Sequence, residues 1–121
     1  MAEIKIVICG CRNFHGTDVF NEFVDFCLAR IQKDNNIVIL SGHCSGVDSM
    51  AEAYANAHGL KVRLYPAEWA KYGKAAGTKR NMQMANDANM VIAFWDGYSK
   101  GSKSMIDSAE KLKKPVYLKK I

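Results

Sequence analysis

Runs of apolar residues recur along the chain, and they are separated by polar or glycine-containing stretches. Residues 4–9, 37–40 and 90–95 are almost wholly apolar, which is typical of strands buried on both faces of a sheet. Residues 60–65 alternate between apolar and polar side chains and predict a half-exposed strand, and residues 115–118 predict a last strand. The pattern therefore predicts five strands.

Between these runs the apolar residues are spaced as on one face of a helix. The first such stripe follows the spacing i, i+3, i+4, i+7, i+8, i+11 and comprises Phe20, Phe23, Val24, Cys27, Leu28 and Ile31. Further helices are predicted for residues 50–58, 79–88 and 105–112. Residues 66–78 are irregular and accommodate at most one short helical turn.

The alternation of strands and helices predicts the fold class. Short connections, such as the turn expected at residues 34–36, imply right-handed crossovers between parallel strands. We expect an α/β fold with one domain over residues 1–121, a three-layer sandwich of about five parallel strands with helices on both faces.

A loop with two glycines follows the second strand and reads Ser41-Gly42-His43-Cys44-Ser45-Gly46-Val47-Asp48. The order strand, loop, helix turns backbone N–H groups and the positive end of a helix dipole toward an anion. We expect Ser45 to be the N-cap with Asp48 in a capping-box position, and Gly42 and Gly46 to let a phosphate oxygen approach the main chain. The alternative is a tight strand-to-helix turn without a ligand.

Two more loops have the same place in the pattern, at residues 10–16 after the first strand and 96–102 after the fourth. Because parallel strands bring such loops to one edge of the sheet, we expect all three near the switch in strand order, where folds of this class bind ligands.

Composition narrows the class of protein. The 121 residues are 49% hydrophobic and 24% charged, which fits one globular core. No apolar run is long enough to cross a bilayer, and the first residues do not resemble a signal peptide, so we expect a cytoplasmic protein without a membrane partner. The four cysteines have no CxxC or disulfide-scaffold spacing and are expected to be reduced, and no cofactor is implied.

The net charge of +5 favours an anionic partner. Four cations lie within ten residues, namely Lys71, Lys74, Lys79 and Arg80, whereas the lysines near the C-terminus are expected to form a solvated face. This pattern is compatible with nucleic acid or with a small phosphorylated ligand. No recognition helix is evident, so the small ligand is the preferred interpretation.

Several side chains at the predicted ligand edge have alternative roles. Arg12 and Arg80 suit bidentate contacts to phosphate or ribose, or else surface ion pairs. Asn81 could recognise a base or a hydroxyl, or cap a turn. Gly101 and Ser102 offer a second anion site at a helix start, or simple capping.

Aromatic and acidic residues complete the candidate set. Trp69 and Trp95 could stack on a base, although packing is the more common role of tryptophan. Asp48 or Asp96 could bind a ribose hydroxyl, and Asp96 is the better candidate for a general base if chemistry occurs.

A metal or redox site is a further alternative. It would use Cys11, His43 and Cys44, which leave strands at the same edge. No metal-ligand spacing occurs within one loop, so no metal is predicted.

Ordered motifs over nearly the whole chain resemble the SLOG superfamily, in particular its YspA/YpsA-related branch. They are Cys9-Gly10-Cys11-Arg12, Ser41-Gly42-xxx-Gly46-Val47-Asp48, Pro66-Ala67-Glu68-Trp69, Lys71-Tyr72-Gly73-Lys74-Ala75-Ala76-Gly77, Arg80-Asn81-xx-Met84, and the run from Phe94-Trp95-Asp96-Gly97 to Gly101-Ser102-xx-Met105-Ile106. The resemblance implies a Rossmann-like domain that binds a nucleotide or its derivative. It also implies that self-association is plausible.

The resemblance carries one departure that bears on activity. Related lonely-guy phosphoribohydrolases have a catalytic glutamate in the position that Met105 occupies here, and a thioether cannot act as a base. We therefore expect a nucleotide-derivative sensor or sequestering module, for example in stress or phage conflict. A hydrolase of an N-glycosidic or phosphoester bond and a DNA-binding module are the alternatives. The expected ligand residues are Gly10, Arg12, Ser41, Gly42, Ser45, Gly46, Asp48, Trp69, Gly77, Arg80, Asn81, Asp96, Gly101 and Ser102.

Overall fold

A five-stranded parallel sheet forms the centre of the computed structural model, which describes residues 3–31 and 36–121. The strands are β1 (Glu3–Gly10), β2 (Asn36–Ser41), β3 (Lys61–Leu64), β4 (Met90–Trp95) and β5 (Val116–Lys120), in the order β3-β2-β1-β4-β5. All four pairings are parallel, which confirms the predicted fold class. Of the turn predicted at residues 34–36, residues 34 and 35 lie outside the described part, and residue 36 begins β2.

The helices are α1 (Thr17–Leu28), α2 (Val47–Ala57), α3 (Trp69–Tyr72), α4 (Ala76–Asp87) and α5 (Lys100–Lys111), with a 3₁₀ turn at Gly73–Ala75. No helix within residues 3–31 and 36–121 combines the length and the apolar character that a membrane span requires.

Helices cover both faces because consecutive strand residues point to opposite sides of the sheet. Ile6 and Ile8 of β1 pack in one cluster with Phe20 of α1, whereas Val7 packs in a second cluster with Met84 of α4. Ile6, Val7, Ile8 and Phe20 are fully buried and Met84 is nearly so. Each such side chain contributes about 1.5–3 kcal/mol through burial, so the wholly apolar strands are what hold the three layers together.

Several predicted boundaries differ from the structure, since α2 begins at residue 47 and not at residue 50, and α5 begins at residue 100 and not at residue 105. Helix α4 begins at residue 76 and not at residue 79, and the segment predicted to be irregular contains α3 and the 3₁₀ turn. Gly73 ends α3, because its φ of +55° interrupts the helical path without a steric cost. Helix α1 ends at Leu28, but Ile31 still packs against the core.

The strand order fixes where a ligand site can form. From β1 the chain moves outward through β2 to β3, and it then crosses to the other side of β1 to form β4. The carboxyl ends of β1 and β4 therefore flank the switch point.

Candidate functional site

A cavity of about 450 Å³ opens at this switch point. It is lined by the loops after β1, β2 and β4, the first turns of α2 and α5, and the facing part of α4. Eight of the residues expected at the site line it, namely Gly10, Arg12, Asp48, Arg80, Asn81, Asp96, Gly101 and Ser102. The three loops and α4 thus meet at one edge of the sheet.

Arg80 is held by neutral acceptors. Its Nη1 donates to the carbonyl oxygens of Gly42 at 2.9 Å and Tyr65 at 3.2 Å, and its Nε donates to Asn81 Oδ1 at 2.9 Å. Carbonyl and amide oxygens orient the guanidinium without neutralising its charge. Nη2 takes no part in these three bonds and is the edge with which Arg80 could meet an anion.

Arg12 is exposed and follows the end of β1 by two residues. Its Nη2 lies 3.8 Å from the Sγ of Cys44, a weak acceptor. Since a thiol does not balance a guanidinium charge, Arg12 supplies a second positive charge at the cavity wall.

Asp48 is a buried carboxyl group, with 8% of the residue exposed. Burial raises its pKa to about 6, against the lowering effects of the Cys44 N–H, Arg80 and Arg12, while nearby Glu52 raises it further. The Cys44 N–H donates to Asp48 Oδ2 at 3.2 Å. The cavity therefore contains a carboxyl group that changes protonation close to neutral pH.

Asp96 has the opposite environment. The backbone N–H groups of Ser99 and Tyr98 both donate to its Oδ1 at 2.8 Å and hold the pKa of Asp96 below its ordinary value. A carboxylate of this kind is a weak proton acceptor but a good hydrogen-bond acceptor. These bonds favour the hydroxyl-acceptor role considered for Asp96 over the general-base role for which it was the better candidate if chemistry occurs.

The glycines of the second loop make room for protein groups. A Cβ at Gly42 would lie 2.7 Å from Arg80 Nη1, and a Cβ at Gly46 would lie 2.4 Å from the carbonyl oxygens of Cys11 and Arg12. The space that we expected a phosphate oxygen to use is therefore filled by Arg80 and by the first loop. Gly10 has a similar packing role, since its Cβ would lie 2.6 Å from the Phe94 carbonyl oxygen.

The start of α2 also differs from the expectation. The N-cap is Gly46, with φ of +73°, and Ser45 is an exposed loop residue that makes no cap bond. In the predicted capping box, the Asp48 carboxylate would accept a bond from the Ser45 N–H. In the structure it accepts one from the Cys44 N–H. The backbone turns one residue later than predicted because Gly46 is the residue that tolerates the positive φ and the contact with the first loop.

The start of α5 is open toward the cavity. Ser99 is the N-cap, and the first bond of the helix runs from the Lys103 N–H to the Ser99 carbonyl oxygen at 3.1 Å. The N–H groups of residues 100–102 come before this bond and have no acceptor within the helix. Gly101 lines the cavity, and a Cβ there would meet nothing within 4 Å. Ser102 also lines it, and its Oγ donates to the Ser99 Oγ at 3.4 Å.

Asn81 connects α4 to the start of α5. Its Oδ1 accepts the bond from Arg80, and its Nδ2 donates to the Gly101 carbonyl oxygen at 3.3 Å. Both ends of the buried amide are therefore engaged with the protein. This arrangement gives Asn81 a positioning role for Arg80.

The remaining expected residues do not line the cavity, and they are Ser41, Gly42, Ser45, Gly46, Trp69 and Gly77. Ser41 is fully buried and its Oγ donates to Glu52 Oε2 at 2.8 Å. Trp69, on α3, is 55% exposed and lies near Gly77, and its position offers no contact to this cavity. Trp95 is half-buried, and its indole N–H donates to the Ser99 carbonyl oxygen at 3.0 Å.

The lining also includes residues that sequence reasoning did not assign to the ligand site, namely Cys9, Cys11, Asn13, Cys44, Tyr98, Ser99 and Met105. All but Met105 lie in or beside the three loops, so membership of a loop was the signal that could have found them. Burial raises the pKa of the Cys9 and Cys11 thiols, which keeps both protonated.

The residues considered for a metal site have separate partners. Cys11 Sγ lies 3.9 Å from the Phe94 carbonyl oxygen, and His43 Nδ1 pairs with Glu52 at 3.0 Å. Cys44 Sγ lies 3.8 Å from the Gly42 carbonyl oxygen. Among the described residues, no group of three or more His, Cys, Asp or Glu side chains could hold a metal ion.

Known proteins resemble the chain in sequence and in fold. The gene 61 protein of Mycobacterium phage D29 is 33% identical over 86 residues, which cover 66% of this chain and 69% of the phage protein. The crystal structure of TM1055, a structural genomics target, superposes with a TM-score of 0.66 at 17% identity, over 93% of this chain and 72% of TM1055. This similarity supports the Rossmann-like α/β fold.

The sequence profile of the YspA, cpYpsA-related SLOG family, called YAcAr, matches residues 4–72. The chain therefore belongs to the YspA, cpYpsA-related SLOG family.

Proposed function

We propose that the cavity at the switch point binds the phosphate end of a nucleotide or nucleotide-derived small molecule. The observation that carries the proposal is that Arg12, Arg80 and the open start of α5 line one cavity. Guanidinium groups and free helical N–H groups are the donors that proteins use for phosphate. Asp96, on the same wall, is suited to accept bonds from sugar hydroxyls.

Membership of the SLOG family supports a nucleotide-related ligand. We propose that the protein acts as a sensor or a sequestering module for such a ligand. The sequence similarity to a phage protein is compatible with a role in phage conflict, which stays a prediction.

The test is a binding screen with a direct search for a co-purified ligand. Freshly purified protein is denatured and its small molecules are identified by mass spectrometry. In parallel, AMP, ADP-ribose, NAD, cyclic nucleotides and ribose 5-phosphate are screened by thermal shift and titration calorimetry. We expect at least one phosphate-bearing compound to bind, and Arg80→Met to weaken it at least about tenfold, since charged hydrogen bonds contribute about 1.5–3 kcal/mol.

Arg30→Met is the matched control, because it also removes one guanidinium. Arg30 lies over the Phe26 ring and does not line the cavity. Equal losses in the two variants would indicate a general effect of net charge and would contradict the proposal.

Hydrolysis of the bound ligand is a second candidate, and Asp48 is the observation that favours it. Met105 is 1% exposed and lines the cavity, and the resemblance to the lonely-guy enzymes matches this position to their glutamate. Asp48 lines the same cavity with a pKa raised to about 6, in the range that suits general acid–base catalysis. The protein could therefore use a carboxyl group from the first turn of α2 in place of one on α5.

Chromatography of the ligand after incubation separates the two candidates. Release of free base or of ribose phosphate, abolished in Asp48→Asn with binding retained, would establish an enzyme. Recovery of the ligand unchanged would establish a binding module.

A further inference from the structure

A second cavity lies beside the first. Its volume is about 490 Å³, and it is lined by Cys11, Asn13, Phe14, Val19, Asp96, Lys119, Lys120 and Ile121. Three of these residues, Cys11, Asn13 and Asp96, also line the cavity at the switch point. The two cavities thus share a wall at the loops after β1 and β4.

The chemistry of the second cavity differs from that of the first. Phe14, Val19 and Ile121 form an apolar part of its lining, which also includes Lys119 and Lys120. The Phe14 ring is stacked on Phe94 with the ring centroids 6.1 Å apart. Val19, in the first turn of α1, is 41% exposed. An apolar, partly open surface of this kind suits a planar heterocycle, which buries its faces and keeps its polar edge near water.

Asp96 lies on the shared wall, between the two cavities that two parts of one ligand would occupy. Asp96 holds the N–H groups of Tyr98 and Ser99 with Oδ1 alone, and its lowered pKa keeps it ionised as a hydroxyl acceptor. On one side of Asp96 lies the cavity with Arg12 and Arg80. The order cation pair, hydroxyl acceptor, apolar cavity corresponds to the order phosphate, sugar, base in a nucleotide.

We propose that the cavity formed by Phe14, Val19 and Ile121 binds the base of a nucleoside phosphate whose phosphate lies at Arg12 and Arg80. This inference rests on the proposed function and specifies its ligand class, since it requires a base attached to the sugar phosphate. Arg12 and Arg80 bind the anion, Asp96 binds the sugar, and the apolar cavity discriminates nucleotides from sugar phosphates without a base.

The test compares ribose 5-phosphate with AMP, GMP, CMP and UMP by titration calorimetry of the full chain. Because contact of a base with an aromatic or apolar surface is worth about 1–3 kcal/mol, we expect at least one nucleotide to bind about fivefold or more tighter than ribose 5-phosphate. Val19→Asp is expected to remove this advantage, because it places a carboxylate beside the apolar side chains of Phe14 and Ile121, and to change the affinity for ribose 5-phosphate less than about twofold.

Phe26→Asp is the matched control, because Phe26 is 55% exposed on the same helix and does not line the cavity. Equal affinities of the wild-type protein for the nucleotides and for ribose 5-phosphate would overturn the inference while leaving the proposed function intact. A nucleotide advantage that persists in Val19→Asp would also overturn it. Failure of every phosphate-bearing probe to bind the wild-type protein would overturn both.

Discussion

Arg80 and Gly42 are in direct contact, although 38 residues separate them in the chain. Arg80 Nη1 donates to the Gly42 carbonyl oxygen at 2.9 Å, and a Cβ at Gly42 would lie 2.7 Å from the same nitrogen and 3.1 Å from Asp48 Oδ2. The missing side chain at residue 42 is therefore what allows Arg80 to lie beside Asp48 at the cavity.

Gly42→Ala should displace Arg80 with little effect on the fold. The clash is with the far end of a flexible side chain, so the guanidinium can move at low cost, and residue 42 has no positive φ. We expect the phosphate-bearing ligand to bind about tenfold more weakly, with a fall in the free energy of unfolding of about 1 kcal/mol or less. Calorimetry and chemical denaturation measure the two effects separately. A large loss of stability with unchanged binding would contradict this account of Gly42.

Gly46→Ala, unlike Gly42→Ala, should mainly lower the stability of the fold. Residue 46 has φ of +73°, and its Cβ would lie 2.4 Å from two backbone carbonyl oxygens, which cannot move without shifting the first loop. We expect a loss of about 3 kcal/mol or more in the free energy of unfolding.

Gly59→Ala is the control for Gly46→Ala. Gly59 has φ of +66°, but a Cβ there would meet nothing within 4 Å. It should therefore cost only the conformational penalty of about 1 kcal/mol. Similar losses for both alanine variants in urea denaturation would show that the contact between the two loops contributes nothing.

Asp48→Asn should change how stability depends on pH. The carboxyl pKa is raised from 3.8 to about 6 by folding, so the folded state favours the protonated form. The stability linked to this proton is fully present below pH 3.8 and is lost as the pH rises through 6, by on the order of 3 kcal/mol. Asparagine is neutral at every pH in this range. The stability of the variant relative to that of the wild-type protein should therefore increase as the pH rises from 4 to 7.

The readout is the difference in melting temperature between Asp48→Asn and the wild-type protein at each pH. Its slope matters more than its sign at any single pH, because the amide also exchanges an acceptor for a donor. Glu110→Gln, at an exposed position of α5, controls for the loss of one negative charge. A difference that stays constant or falls with rising pH would contradict the prediction.

Lys113→Gly should stabilise the protein. Lys113 has φ of +58° just after α5, where its N–H donates to the Glu110 carbonyl oxygen and the Lys114 N–H donates to that of Ala109. This is a Schellman motif, in which glycine is the preferred residue. Relief of the left-handed conformation should add about 1 kcal/mol to the free energy of unfolding. Equilibrium denaturation checks this value, and ligand binding should not change because the residue does not line the cavity.

The layered fold could be predicted because it depends on local patterns. Short apolar runs bounded by turn residues are typical of strands covered on both sides, and the stripe from Phe20 to Cys27 is typical of a helix with one buried face. A helix between consecutive strands then indicates crossovers and parallel pairing, which brings the loops to one edge. Arg12 and Arg80 were predicted at this edge for the same reason, and the structure places both at the cavity.

The roles of individual residues within the site depended on contacts between distant parts of the chain. Gly42 and Gly46 were expected to leave room for a ligand, but Arg80 and the first loop fill that space. Asn81 is occupied by Arg80 and Gly101, and Trp69 is exposed on a short helix. None of these relations could be predicted from residue spacing, because each joins side chains or loops brought together only by the folded chain.

The sequence by itself thus determined the succession of strands and helices along the chain, the burial of both faces of the sheet and the edge at which the loops lie. Hydrophobic periodicity and turn residues determine these features because they act over a few positions. Only the tertiary structure decided the protonation of the two carboxyl groups. Asp48 is buried and its pKa rises, whereas Asp96 accepts two backbone N–H bonds and its pKa falls. The physical reason is that desolvation and hydrogen bonding are set by neighbours in space, and the neighbours that bury Asp48 come from several segments of the chain.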